Sequence, residues 1–240
     1  MECFHVQPDD IHGSMLTLRG DESRHLVRVL RKKIGERVWV TNGMDQMFEA
    51  EVAEIASAQT TCRIIEVLDR FNEPAIEVTL GVSLLRNPSR FDYLVEKATE
   101  LGARRIVPLL CERTIPRHAK TDRFRNLALA AMKQCCRSFL PVIESPLPLG
   151  DFFQRGGDAT LCVLPHEQAQ PGSTIPRLLS GSSAVTQALI AVGPEGGFSD
   201  PELSAGKQYH WSIVSLGNRR LRSETAALAS LTLILQSTPA

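Results

Sequence analysis

The sequence predicts an α/β protein with a smaller β-rich domain in front, and three observations carry that reading. From about residue 73 onward, short apolar runs alternate with helical patterns, the rhythm of a mostly parallel sheet covered by helices. Ahead of that point, strand-like segments follow one another across glycine-containing turns, with little helix between them. Two glycine-bearing loops, Gly193–Ser199 and Leu216–Ala226, each follow an apolar run, Ala188–Val192 and Ile213–Leu216, so each should leave the carboxyl edge of the sheet. Open α/β sheets gather their ligands there.

Residues 1–72 read as the first domain. Met15–Leu18, Arg37–Thr41, Met47–Ile55 and Thr60–Leu68 are enriched in β-branched residues or partly alternate, and Gly13, Gly35 and Asn42-Gly43 supply turns between them. One helical patch interrupts: within Glu22–Arg31, Leu26, Val27 and Leu30 share a face. Phe71-Asn72-Glu73-Pro74 marks the boundary to a second domain over residues 73–240. Its expected strands are Ile76–Leu84, Ile106–Leu110, Leu140–Ile143, Leu161–Leu164, Leu189–Val192 and Ile213–Leu216. Helices are expected over Phe91–Leu101, closed by Gly102, and over Phe124–Cys136. Gln168–Ser173 and Ser180–Ser183 read as polar loops that only connect.

Composition narrows the function classes. The 240 residues are 43% apolar, enough for a substantial core, and 27 basic residues balance 27 acidic ones, so overall charge selects no partner. Cys3, Cys62, Cys111, Cys135, Cys136 and Cys162 form no C-x-x-C pair and no zinc spacing with histidine; they read as reduced core residues of a cytosolic protein, with no metal expected. The opening Met-Glu-Cys-Phe-His lacks a signal-peptide pattern, and no run of eighteen apolar residues occurs, so a cytoplasmic protein without a membrane partner is expected.

The first glycine loop has its own physics. Pro194 fixes φ, while Gly196 and Gly197 permit positive φ and close approach of the backbone to a ligand. Ser199-Asp200-Pro201-Glu202 is a capping box with proline in the first turn, so a helix should start directly after the glycines. Neither familiar phosphate fingerprint is present; a tight turn that merely needs glycine is the plain alternative.

Charge is concentrated locally. Arg19 to Arg37 holds seven Lys/Arg against three acids, and Arg104 to Arg125 holds seven against two. Together with Arg219, Arg220 and Arg222 these zones are candidates for contact with an RNA backbone, although solvated basic faces are common without one. The uncharged run Thr225–Leu235 is apolar on nearly every face and is expected to be buried on all sides, most economically against a second copy of the chain.

Five of these stretches together resemble the RsmE family. They are Gly193-Pro194-Glu195-Gly196-Gly197-Phe198-Ser199; Ser215-Leu216-Gly217-Asn218-Arg219-Arg220-Leu221-Arg222-Ser223-Glu224-Thr225-Ala226; His25-Leu26-Val27-Arg28-Val29-Leu30-Arg31; Glu96-Lys97-Ala98-Thr99-Glu100-Leu101-Gly102; and Gln134 with Arg137 before Leu140-Pro141. The resemblance implies a small PUA-like β-barrel that binds RNA, followed by a SPOUT α/β domain whose C-terminal chain is tied in a trefoil knot. It implies a protein that uses S-adenosyl-L-methionine to methylate N3 of a uridine in 16S ribosomal RNA, free or within the small ribosomal subunit, and the apolar helix makes it a homodimer. Carried over position by position, it assigns the cofactor to Leu164, Pro165, Gly193, Pro194, Glu195, Gly196, Gly197, Phe198, Leu216, Gly217, Arg220, Leu221 and Arg222. It assigns RNA contacts to His25, Arg28, Arg31, Lys32, Arg86, Arg113 and Arg137. Cys135-Cys136 stands where small residues are usual and Arg86 where lysine is common, which loosens the RNA assignments near them.

Methyl transfer to N3 is an in-line displacement that needs alignment and a deprotonated nitrogen. Arg222 is the candidate to stabilise the negative charge on O2 and O4. Glu224 and Glu195 are candidates to accept the proton. Glu224 reads equally well as a carboxylate at a helix N-terminus, and Glu195 better as an orienting group for the loop. A catalytically silent RNA-binding assembly factor and an unrelated nucleotide-using α/β enzyme are the rival readings.

Overall fold

The computed structural model describes residues 3–157, 160–180 and 185–237. The expected loop Ser180–Ser183 therefore lies, beyond Ser180, outside the described residues. The chain forms two compact units, Met1–Glu73 with Leu129–Leu140, and Pro74–Ala128 with Pro141–Ala240.

The first unit is built on strands β1 (Cys3–His5), β2 (Ile11–His12), β3 (Met15–Arg19), β4 (Arg37–Thr41), β5 (Gln46–Ile55) and β6 (Gln59–Asp69). They form one sheet in the order β1-β4-β5-β6-β3-β2, antiparallel except for β1 on β4. Alternation along the strands sends Leu16, Leu18, Val38, Val40, Ala50 and Val52 into one core with Phe4, Phe48 and Leu26. Helix α1 (Gly20–Arg24) then runs into a π-helical turn, His25–Val29, in which the Leu30 N–H donates to the His25 carbonyl at 3.1 Å. The regular helix expected over Glu22–Arg31 is thus replaced from His25 on, and Arg31 leaves it at φ +55°. Such turns are rare and recur at functional sites.

Within this unit Leu129–Leu140 is held by a buried ion pair. Arg137 and Glu73 have side chains only 3% and 1% exposed, and Glu73 also accepts the Phe139 N–H at 2.9 Å. With its geometry satisfied on both sides, this pair costs little; removing one partner alone would leave a buried charge.

The second unit carries β7 (Glu77–Ser83), α2 (Pro88–Leu101), β8 (Arg105–Leu110), α3 (Thr121–Cys135, whose residues from Leu129 on belong to the first unit), β9 (Val142–Ile143), β10 (Leu147–Pro148), α4 (Leu149–Phe153), β11 (Thr160–Pro165), α5 (Ile175–Ser180), β12 (Gln187–Val192), α6 (Asp200–Gln208), β13 (Ser212–Val214) and α7 (Ser223–Ser237). Its sheet is parallel, in the order β10-β8-β7-β12-β11-β13 with β9 also on β8, as the strand and helix alternation predicts. Gly81 in β7 is dictated by packing: a Cβ there would lie 2.6 Å from the Phe152 ring. Phe152 and Phe153 in turn pack on Trp211, whose indole N–H donates to the Phe153 carbonyl at 3.1 Å.

Helix α7 is covered along one side within the chain. Ala227, Ser230, Leu231 and Ile234 form one buried stripe, while Leu228, Ala229, Leu233 and Leu235 are only half-buried. A single chain covers one side of this apolar helix, not all of it.

Five of the six cysteines are buried, and burial pushes the Cys62 and Cys162 thiols up to about 11. They are protonated, unreactive core residues at neutral pH. No helix among the described residues is long and apolar enough to cross a membrane.

Candidate active site

Four strands of the second unit end at one cavity. The segments after β11, β12 and β13 line it, joined by Arg90 from the first turn of the helix that follows β7. Its volume is about 660 Å³, within the range of small-molecule sites. The order β8-β7-β12-β11 places it where the strand sequence reverses, the topological switch point of an open α/β sheet.

The loop after β12 is shaped by its glycines in three different ways. Gly197 has φ +70°, its N–H donates to the Pro194 carbonyl at 2.9 Å, and a Cβ on it would meet no protein atom within 4 Å. Its bare backbone thus faces the open cavity. Gly193 instead makes room for the Phe198 ring at 3.2 Å, and Gly196 for Arg113 at 3.4 Å. The expected capping box follows: Ser199 N–H donates to Glu202 Oε2 at 2.8 Å, and Glu202 N–H to Ser199 Oγ at 3.4 Å. Ser199→Ala is expected to cost about 1 kcal/mol, read as a lower urea midpoint at unchanged slope.

Neighbouring loops brace this one. The Arg86 N–H donates to Glu195 Oε1 at 3.0 Å, and the Glu112 N–H to Glu202 Oε1 at 2.8 Å. The Arg113 guanidinium donates to the Gly196 and Phe198 carbonyls at 2.8 and 3.2 Å. Glu195 is therefore an orienting group, and Arg113 holds the glycine loop.

The loop after β13 is fixed by Gly217 at φ +101° and by the Gly217 N–H on Ser215 Oγ at 3.2 Å. It is also welded to the segment after β11, since the Ser215 N–H donates to the Ser173 carbonyl and Ser173 Oγ–H to the Ile213 carbonyl, at 2.8 and 2.7 Å. Gln168–Ser173, expected only to connect, contributes Ala169, Gln170 and Pro171 to the cavity wall. The signal that finds the other two loops, departure from the carboxyl end of a strand, applies equally here.

Of the thirteen residues assigned to the cofactor, all but Leu164 line the cavity. Leu164 is fully buried in the core with Phe152 and Phe153, because alternation along β11 turns it inward. Arg222 lies on the wall and is exposed. Glu224 does not lie on it: the residue is 8% exposed and its Oε1 is 3.7 Å from Arg90 Nε. Sequence reasoning missed Arg90 and also His166, whose Nδ1 accepts the Gln168 N–H at 3.1 Å and whose pKa burial lowers.

The residues assigned to RNA divide. His25, Arg28 and Arg31 are exposed on the π-turn and just after it, with Lys32 half-buried. Arg86 is exposed beside the braced loop. Arg137 corrects the expectation: it is buried on Glu73 and stabilises the first unit instead of meeting RNA. Among the described residues no cluster of three or more His, Cys, Asp or Glu side chains is placed to hold a metal ion.

Family models match both units: residues 72–235 match an RNA methyltransferase domain and residues 18–65 an RNA methyltransferase PUA domain. A PUA domain ahead of a methyltransferase domain with a carboxyl-edge cavity defines the class. Within it, the chain is 33% identical over 241 residues to the ribosomal RNA small subunit methyltransferase E of Synechocystis, covering 97% of this chain and 77% of that one. The chain belongs to the ribosomal RNA small subunit methyltransferase E family. Its fold matches the Neisseria gonorrhoeae ribosomal RNA small subunit methyltransferase E bound to S-adenosyl methionine, with TM-score 0.85 and 23% identity over 99% of this chain and 98% of that one. A Legionella pneumophila protein solved in complex with the bound cofactor SAM superposes with TM-score 0.81 and 26% identity, over 98% and 97% of the two chains.

Proposed function

We propose that this protein methylates N3 of a uridine in 16S ribosomal RNA, with S-adenosyl-L-methionine held in the carboxyl-edge cavity. The observation that carries the reading is the braced glycine loop, whose left-handed Gly197 turns bare backbone toward that cavity. The names of the relatives and the cofactor in the Legionella structure support it. The cofactor would rest on the backbone of residues 193–198 and 216–221, where side chains would take its space. When bound it supplies an electrophilic methyl group on a sulfonium sulfur.

The chain's own residues do the rest. The braced loops fix the line of approach, the larger part of what an enzyme gives to such a displacement. Arg222 stabilises the imide anion left when the N3–H bond breaks and the proton passes to solvent. The deprotonated N3 would then be held in line with the methyl group that the cofactor would supply. The exposed cations Arg28, in the π-turn, and Arg31, just after it, hold the RNA backbone and make binding salt-dependent.

The half-buried apolar side of α7 is the surface for a second copy, giving a homodimer. A C-terminal trefoil knot is part of this reading, as the family resemblance implies. A protein acting on ribosomal RNA works in the cytoplasm.

Calorimetry with S-adenosylhomocysteine, paired with transfer of labelled methyl to small subunits, tests the proposal. Binding together with transfer is expected. Binding without transfer would leave an assembly factor of the same fold, and no binding would remove the cofactor from the account.

A further inference from the structure

We propose that Arg90, with Glu224 as its positioning residue, is a second catalytic cation of the methyl-transfer site; this rests on the function proposed above. Arg90 stands in the first turn of α2, behind the Asn87 cap whose side chain accepts the Ser89 N–H at 3.0 Å. That turn contains no acidic residue. The helix dipole favours anions there, so a cation is at the wrong end for helix stability. Local rules broken in this way concentrate at functional sites.

The side chain is not spent elsewhere. It is one-third exposed and lies on the cavity wall. Among the described residues its ion pair is with Glu224, at 3.7 Å, longer than a hydrogen bond. Its guanidinium donors therefore remain for a ligand. Glu224 has the opposite character: it is buried, off the cavity wall, and in the first turn of α7, where the dipole favours its charge. It is well placed to hold Arg90.

Arg222 precedes Ser223-Glu224 in the chain, and both it and Arg90 line the same cavity. That matches the chemistry of the base. Uracil N3 lies between two carbonyls, and when its proton leaves, the charge spreads over O2 and O4. Two cations can each serve one oxygen. The pair thus selects an imide flanked by carbonyls over a ring nitrogen with an amino neighbour, which would present a donor to one of the cations.

Single-turnover transfer from labelled S-adenosylmethionine to small subunits provides the test. Arg90→Ala is expected to lower the rate by roughly 10²-fold, the order seen when one donor to a developing anion is lost. Affinity for S-adenosylhomocysteine should stay within about twofold, which also shows that the pocket is folded. Arg90→Lys should recover part of the rate, and millimolar guanidinium should partly rescue Arg90→Ala, which a merely structural role would not allow. Glu224→Gln should cost about tenfold or less, because a carboxamide oxygen can still receive Arg90. An Arg90→Ala variant of wild-type rate, or one whose cofactor affinity falls as far as its rate, overturns the proposal. So does a Glu224→Gln variant that is inactive where Arg90→Ala is not. If the wild-type protein transfers no methyl at all, the underlying function fails with it.

Discussion

Gly197→Val is expected to abolish cofactor binding while the protein stays folded. Two effects act at this one residue. Its φ of +70° is a conformation that a β-branched residue adopts only under strain, at a cost of about 1–3 kcal/mol. That is within the stability of an ordinary domain. The second effect falls on the ligand: the new Cβ would meet no protein atom within 4 Å at a residue that lines the cavity, and the two methyls would take space the proposed cofactor needs. Calorimetry with S-adenosylhomocysteine should show no heat of binding, alongside a cooperative melt. Wild-type affinity in this variant would mean that Gly197 serves the turn alone.

Arg222→Ala is expected to separate binding from chemistry. The side chain is exposed on the cavity wall, with no carboxylate paired to it among the described residues, so its charge is available to the base. Losing it should lower the methylation rate by about 10² or more, with little change in cofactor affinity. If affinity falls in step with the rate, Arg222 is a ligand of the cofactor and Arg90 is left as the cation at the base.

The parts of this site that were legible in the sequence are those whose physics is local. Pro194, the glycines and the Ser199 to Glu202 spacing encode a turn and a helix start within ten residues, and the structure has both. Gly102 ends α2 at φ +113°, as a glycine C-cap should. The second-unit sheet was legible for a related reason, since buried parallel strands read as continuous apolar runs.

What escaped depends on partners distant in the chain. Nothing near Arg137 shows that Glu73 will bury it, because the two lie 64 positions apart. Leu164 looks like its neighbours until alternation and the Phe152-Phe153 pair decide which way it faces. Arg90 carries only a faint mark, a cation at the wrong end of a helix, which gains meaning once α7 is seen beside it. The apolar run of α7 is buried by its own chain along a single stripe.

The most direct test of the central claim uses small ribosomal subunits from cells that lack this protein. Incubated with it and S-adenosylmethionine labelled in the methyl group, the RNA would be digested and the modified nucleoside identified by mass spectrometry. The account predicts label in 16S RNA at one uridine, with the methyl on N3. Label on ribose, on a ring carbon or on another base would contradict it, as would an unlabelled subunit in the presence of a protein that binds S-adenosylhomocysteine.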